Sequence, residues 1–189
     1  VVCRRQRQMC IRDRPGANPT DDAFFASPPQ TRNARMVAFG MTRRGGRSAA
    51  NDPGLNAVLD AEVPATCLVG KTWDFHVETA IKTSLEENLE MIRGSVAAAV
   101  DKGRESMFDC EHFFDGYKNN PGYAIDCVKA AHEGGASWVV LCDTNGGALP
   151  SEVSEIVSAV REAVPDVRLG IHCHNDCLLY TSDAADDIP

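Results

Sequence analysis

The sequence has 189 residues, of which 43% are hydrophobic, and its 19 basic and 27 acidic side chains give a net charge of −8. No apolar run approaches the roughly 20 residues of a membrane span, which argues against a transmembrane protein. Beyond the arginine-rich start there is no basic stripe that would indicate a nucleic-acid partner. The eight cysteines include no C-x-x-C pair and indicate reduced thiols, so we expect a cytoplasmic protein.

The two ends of the chain are related at the level of DNA. Residues 4–14 read RRQRQMCIRDR, and residues 177–186 read CLLYTSDAAD. A DNA sequence that encodes the first segment also encodes the second in a shifted frame of its complementary strand, and this DNA resembles a sequencing adaptor. We therefore predict that residues 1–14 and 177–189 are adaptor-like, non-native segments and that residues 15–176 carry the fold. The alternative is a basic N-terminal arm and an acidic tail.

Short apolar runs that end at glycine or at polar residues predict β-strands. The runs are apolar on both faces, which is typical of parallel strands that are covered on both sides. We place strands at residues 35–40 (RMVAFG), 65–70 (ATCLVG), 106–110 (SMFDC), 138–142 (WVVLC) and 168–174 (RLGIHCH).

Capping residues and helical periodicity predict helices between these strands. A proline near the first turn and a glycine after the last one support the assigned ends. The four predicted helices begin after Asn51 or Asp52, after Ser84 with Glu87 completing a capping box, at Pro121 and at Pro150. The apolar face that follows Ser84, from Leu85 to Val100, is predicted to be core.

The alternation of strands and helices predicts a parallel sheet with right-handed crossovers. A doubly wound nucleotide-binding sheet is one such fold, but the chain contains neither G-x-G-x-x-G nor G-x-x-x-x-G-K-[ST]. Polar residues instead follow the ends of successive strands, at 71–76, 109–111, 143–145 and 172–176, which is where (β/α)8 barrels carry their chemistry. We predict an α/β fold, namely a partial (β/α)8 TIM barrel with about five of the eight strands.

The stretch HCHND at residues 172–176 contains two alternating histidines. Because side chains alternate across a strand, His172 and His174 are predicted to point to one face and Cys173 to the other. Two neutral imidazoles can bind one divalent metal ion, whereas the alternative is a pair of histidines bonded to loop backbone. The following Asn175-Asp176 and the position at a strand end favour the metal interpretation, which requires at least one further ligand.

Six blocks of sequence lie between residues 15 and 176: PGANPTDDAFF, VAFGMTRR, GKTWDFHV, FDCEHFFDGYK, LCDTNGG and GIHCHND. Together they resemble the citramalate synthases, a branch of the group that includes 2-isopropylmalate synthase, homocitrate synthase and hydroxymethylglutaryl-CoA (HMG-CoA) lyase. The resemblance implies condensation of acetyl-CoA with pyruvate to give citramalate, on a route to isoleucine. It also implies a divalent metal cofactor (Mn²⁺, Mg²⁺ or Zn²⁺) and a homodimer in the intact protein.

The resemblance further implies roles for individual residues. His172 and His174 match the paired metal ligands, and Thr144 matches the threonine that binds the keto-acid carboxylate. Glu111 matches a catalytic carboxylate at a strand end, and Asp109, on the same face of that strand, is expected to contribute to substrate binding.

The sequence also departs from the family pattern. The R-D-G block of the family's first strand, with its acidic metal ligand and its catalytic arginine, does not occur in it. We therefore expect the 189-residue chain to be inactive by itself. The alternative functions are a 2-isopropylmalate synthase, a carbon–carbon lyase of the HMG-CoA lyase kind, and an inactive fragment.

Other polar residues near the strand ends have two interpretations each. Asp143 either caps the turn that follows it or takes part in the site. His76 and His112 either bond to loop backbone or have a function. Arg43 and Arg44 either bind an anionic group or lie in solvent.

Overall fold

The computed structural model describes residues 15–16, 18–29 and 31–174. The predicted adaptor-like segments, 1–14 and 177–189, lie outside the described residues, as do Asn175 and Asp176 of the HCHND stretch. Within the described ranges, no helix combines the length and the apolar character that crossing a bilayer requires.

Five parallel strands form one sheet in which each strand pairs with the next one along the chain. They are β1 (Val37–Met41), β2 (Ala65–Lys71), β3 (Glu105–Glu111), β4 (Trp138–Asp143) and β5 (Leu169–Cys173). Sequential parallel order with helices between the strands is the arrangement of a (β/α)8 barrel. The predicted five-stranded partial barrel is confirmed, and all ten predicted strand ends fall within two residues of those observed.

Seven α-helices occur in the described residues, together with a 3₁₀ turn at Ala49–Asn51. They are α1 (Pro19–Ala26), α2 (Pro53–Asp60), α3 (Asp74–Thr79), α4 (Leu85–Asp101), α5 (Phe113–Asn119), α6 (Pro121–Glu133) and α7 (Pro150–Ala163). The four predicted helices are α2, α4, α6 and α7. The sequence did not predict α1, α3 and α5. Helices α3 and α5 have only 6 and 7 residues, which is too short for an apolar period to repeat, and α1 buries only Asp21 and Phe25.

The N-terminus of α4 differs from its prediction in one respect. Ser84 is the N-cap, and its hydroxyl accepts a hydrogen bond from the Glu87 backbone N–H at 3.1 Å. The reciprocal half of the predicted capping box is wrong, because the Glu87 carboxylate bonds to another segment. It accepts hydrogen bonds from Nη1 of Arg43 at 2.7 Å and from the backbone N–H of Gly46 at 3.1 Å. The loop after β1 is thereby fastened to the first turn of α4.

The hydrophobic core lies between the sheet and the helices. Leu68, Phe108 and Leu141, from the three middle strands, are fully buried on the helix side of the sheet. Ile92 of α4 packs in the same cluster, and burying each side chain of this size contributes roughly 1.5–3 kcal/mol. The prediction that Val100 belongs to the core is wrong, since it is 39% exposed near the end of α4. The opposite face of the sheet, towards the barrel axis, is less buried and carries Lys71, Asp109 and Glu111.

Gly70 of β2 provides a test of this packing. A Cβ atom at Gly70 would lie 2.8 Å from Cζ of Phe108 and 3.4 Å from Cγ1 of Ile92. Both neighbours are fully buried, so the close-packed core has little room to adjust. We expect Gly70→Ala to lower the free energy of unfolding by about 1–3 kcal/mol. In Gly147→Ala the added Cβ would meet nothing within 4 Å, and equal urea midpoints for the two variants would contradict the packing described.

Candidate active site at the carboxyl ends of the strands

The barrel-facing side of β3, β4 and β5 brings together carboxylate, thiol and imidazole groups, which are the types of side chain that bind metals and transfer protons. Asp109 and Glu111 lie on one face of β3, since residues two apart share a face. Cys142 of β4 is the register partner of His172 in β5. The ligand atoms of Asp109, Cys142 and His172 lie within 4.8 Å of one another. The structure therefore places two of the sequence-predicted site residues, Asp109 and His172, beside a cysteine that the sequence analysis did not select.

Burial dominates the electrostatics of this cluster. It raises the pKa of the Asp109 carboxyl, and a hydrogen bond from the Cys67 thiol and the charge of His172 lower that pKa only in part. Burial also raises the pKa of the Cys142 thiol, and the charges of Asp109 and Glu111 raise it further. A cation placed among these groups would favour their deprotonated forms.

His172, which is in β5, and His174, the first residue after β5, lie side by side. The ring centroids of His172 and His174 are 5.2 Å apart, with an angle of 26° between the ring planes. Both residues are exposed, and a strand places residues i and i+2 on the same face. Two neighbouring imidazoles with a carboxylate nearby fit the mixed nitrogen and oxygen ligand sets that bind divalent metals.

Glu111 is paired with a basic residue that the sequence analysis did not select. It forms an ion pair with Lys71, its register partner in β2. Their side chains are 28% and 17% exposed, so the pair is partly shielded from water. Both residues line a cavity of about 880 Å³, which also reaches Arg43. This volume is within the usual range for a small-molecule site.

The turn after β4 orients Thr144. Its Oγ1 atom accepts a hydrogen bond from the backbone N–H of His112 at 2.9 Å. His112 has a φ of 57°, and this left-handed conformation costs roughly 1–2 kcal/mol for a residue with a Cβ atom. Because the oxygen already accepts this bond, the Thr144 hydroxyl proton is directed elsewhere and can be donated to an anionic group.

An aromatic cluster surrounds His112. The rings of His112 and His76 meet edge to face at 4.5 Å, and Trp73 lies 4.6 Å from His76. Burial and the neighbouring His112 lower the pKa of His76. Nδ1 of His112 lies 3.3 Å from Oδ2 of Asp115, which also accepts a hydrogen bond from Nδ2 of Asn145 at 2.9 Å. These residues come from the three separate segments that follow β2, β3 and β4, so no local sequence pattern indicated the cluster.

The two interpretations of Asp143 are decided by its contacts. Asp143 is 1% exposed. Its carboxylate accepts hydrogen bonds from the backbone N–H groups of Gly147 at 3.2 Å and Ala148 at 3.0 Å. The prediction that it caps the turn after β4 is confirmed.

Arg43 and Arg44 have different surroundings. The side chain of Arg43 is 11% exposed, and Nη1 lies 2.7 Å from Oε1 of Glu87. The alternative in which Arg43 simply lies in solvent is therefore wrong, because its guanidinium is paired with the Glu87 carboxylate within the protein. Arg44 is exposed, and its backbone N–H donates to the carboxylate of Asp52.

Comparisons of the sequence with known proteins identify its relatives. Residues 33–184 match the family described as HMGL-like. The chain is 50% identical over 164 residues to the (R)-citramalate synthase of Aquifex aeolicus, covering 86% of this chain and 31% of that protein. It is 47% identical to the (R)-citramalate synthase of Streptomyces coelicolor, covering 92% of this chain and 33% of that protein. The homocitrate synthase of Saccharolobus islandicus is 29% identical over 74% of this chain.

Comparisons with solved structures agree on the fold. The HMG-CoA lyase of Brucella melitensis superposes with a TM-score of 0.66 at 17% identity, covering 83% of this chain and 53% of that one. The HMG-CoA lyase of Pseudomonas aeruginosa gives a TM-score of 0.65 at 20% identity, covering 85% of this chain and 53% of that one. At these identities the likeness concerns the fold alone.

The chain spans about a third of the length of the curated citramalate synthases that it matches. The matched segment contains β1 to β5 and the strand-end residues Asp109, Glu111, Cys142, Thr144, His172 and His174. The resemblance to the citramalate synthase branch is confirmed at the level of sequence relatives. The chain belongs to the HMGL-like family.

Proposed function

We propose that this chain is the part of a citramalate synthase that carries the keto-acid end of its active site. The observation that carries the proposal is the identity of 43–50% to citramalate synthases from five organisms, against 29% to homocitrate synthases. The activity would belong to the longer protein, because the chain covers only about a third of these relatives.

In the proposed reaction, acetyl-CoA loses a proton from its methyl carbon, and that carbon attacks the ketone carbon of pyruvate. Hydrolysis of the thioester then releases CoA and citramalate, which would enter a route to isoleucine. A divalent metal bound by His172 and His174 would supply positive charge next to the keto oxygen of pyruvate.

The residues of this chain would bind and orient the keto acid. The Thr144 hydroxyl, which accepts from His112, would donate its proton to the carboxylate of pyruvate. Glu111, held by Lys71, would stand beside the reacting carbon and transfer a proton. Asp109, on the same face of β3, would complete the wall of the keto-acid pocket.

The preferred keto acid is a testable consequence. We expect the longer protein to favour pyruvate over 2-oxoisovalerate in kcat/KM when both compete for acetyl-CoA. 2-Oxoisovalerate has two more carbons than pyruvate. Since a difference of even one methylene in an apolar pocket changes binding by about 1–3 kcal/mol, the preference should be at least about tenfold.

This competition is read by mass spectrometry of the products. A kcat/KM that favours 2-oxoisovalerate would assign the protein to the 2-isopropylmalate synthase branch. Cleavage of citramalyl-CoA or HMG-CoA without any condensation would make it a lyase. Sedimentation of the same preparation tests the proposed homodimer.

A further inference from the structure

We propose that Asp109, Cys142 and His172 form a cation site with a thiolate ligand. This site would prefer Zn²⁺, which binds sulfur and nitrogen ligands, over Mg²⁺. It shares His172 with the proposed His172/His174 site. His172 also belongs to the metal site of the proposed function, but binding of a cation to Asp109, Cys142 and His172 can be measured without any catalytic activity. Cation binding at these three residues would exclude a second cation from the His172/His174 site.

The geometry of the three residues is close to that of a zinc site. Their ligand atoms lie within 4.8 Å of one another. Around a tetrahedral zinc ion, with Zn–S near 2.3 Å and Zn–N near 2.1 Å, neighbouring ligand atoms are about 3.3–3.7 Å apart. A closure of at most about 1–1.5 Å is therefore needed. His172 is exposed, so its ring can turn to supply this movement.

The ligand types determine the cation. Cys142 offers sulfur, His172 offers an imidazole nitrogen and Asp109 offers a carboxylate oxygen. Sulfur and imidazole favour Zn²⁺ and Co²⁺, whereas Mg²⁺ prefers oxygen ligands. When the sulfur–metal bond forms, the thiol proton leaves to solvent, and one thiolate and one carboxylate balance the charge of the dication.

The surroundings support a built site rather than an isolated cysteine. Cys142 is 6% exposed and is the register partner of His172, so their separation is fixed by the β4–β5 ladder. The Cys67 thiol donates a hydrogen bond to the Asp109 carboxylate, which orients that ligand as second-layer groups do in metal sites. The side chains of Cys67, Asp109, Cys142 and His172 all project from the barrel-facing side of the sheet, on the adjacent strands β2 to β5.

Sharing His172 makes the two cation arrangements mutually exclusive. A Zn²⁺ ion bound by Asp109, Cys142 and His172 would take His172 away from its pairing with His174. Thiophilic cations are therefore expected to compete with Mg²⁺ or Mn²⁺ at this edge of the sheet. The experiment separates the two arrangements by altering Cys142 and His174 independently.

The test is a Co²⁺ titration of the 189-residue chain. Replacing Cys3, Cys10 and Cys177 with Ser first removes the thiols that lie outside the described residues. We expect a sulfur-to-cobalt charge-transfer band that an equimolar amount of Zn²⁺ abolishes and that Mg²⁺ weakens only in large excess. Cys142→Ser should lose the band, and Asp109→Asn should weaken the apparent affinity for Co²⁺ by about tenfold or more.

Two matched variants serve as controls. Cys173→Ser alters a thiol on the opposite face of β5, and His174→Ala removes the second imidazole; both should retain the band. A band that survives Cys142→Ser in a chain with unchanged circular dichroism would overturn the proposal. A band lost in His174→Ala but unaffected by Asp109→Asn would assign the ion to the histidine pair instead. If Cys142→Ser unfolds, the isosteric Asp109→Asn decides, because an unchanged Co²⁺ affinity in that variant contradicts the site.

Discussion

Replacing both His172 and His174 with Ala in the longer protein should abolish its metal-dependent turnover. The two rings are neighbours on one strand face, with centroids 5.2 Å apart, and together they supply both nitrogen ligands of the proposed metal. Loss of a group that merely supports a metal ligand costs 10–100-fold in affinity or activity, so loss of two ligands should exceed about a hundredfold. Turnover is measured as CoA release at increasing Mn²⁺.

His132→Ala is the matched control for this double variant. His132 lies in the last turn of α6, in the helix layer of the barrel, and the substitution removes an imidazole without reaching the strand ends. We expect its Mn²⁺ dependence to equal that of the unaltered protein. Unchanged metal-dependent activity in the double variant would show that the histidines only bond to loop backbone.

Glu111→Gln should lower kcat by about 10²–10⁴-fold, the range over which a positioned acid–base group contributes. Gln keeps the shape of the side chain but cannot accept the proton. The KM for pyruvate should change far less, because Thr144, which is proposed to bind the carboxylate, is unaltered. Initial rates at varied pyruvate, with acetyl-CoA saturating, separate kcat from KM.

Glu105→Gln is the matched control on the same strand. Glu105 and Glu111 occupy the two ends of β3 and share its barrel-facing side. Glu105 forms an ion pair with Arg35, and Glu111 forms one with Lys71. The two glutamate side chains are similarly exposed, at 32% for Glu105 and 28% for Glu111. Since barrel chemistry lies at the carboxyl ends of the strands, Glu105→Gln should leave kcat unchanged. Equal losses in the two variants would indicate that both glutamates act only on stability.

The strands could be predicted from the sequence because of local physical causes. Each buried parallel strand requires an uninterrupted apolar run, and the runs at ATCLVG and WVVLC begin where β2 and β4 begin. Helices α6 and α7 begin at Pro121 and Pro150 as predicted, since capping signals and apolar faces act within a few turns.

The contacts across the site could not be predicted in the same way. Cys142 reaches Asp109 and His172 only because of the registers of β3, β4 and β5, which no single segment encodes. The predicted bond from the Glu87 side chain to the Ser84 backbone does not form for a similar reason. The Glu87 carboxylate accepts a hydrogen bond from Arg43, which is 44 residues away in sequence. Local patterns identify candidates, but long-range pairing decides which of them meet.

Anomalous scattering from Mn²⁺ in crystals of the longer protein, grown with pyruvate, would locate the metal and the keto acid relative to the sheet. We expect the carboxyl ends of β3, β4 and β5 to bind both together. We predict one Mn²⁺ peak within about 2.3 Å of a ring nitrogen of both His172 and His174. The carboxylate of pyruvate should lie within hydrogen-bond distance of Oγ1 of Thr144. A peak away from both histidines, or pyruvate bound at the amino ends of the strands, would contradict the account.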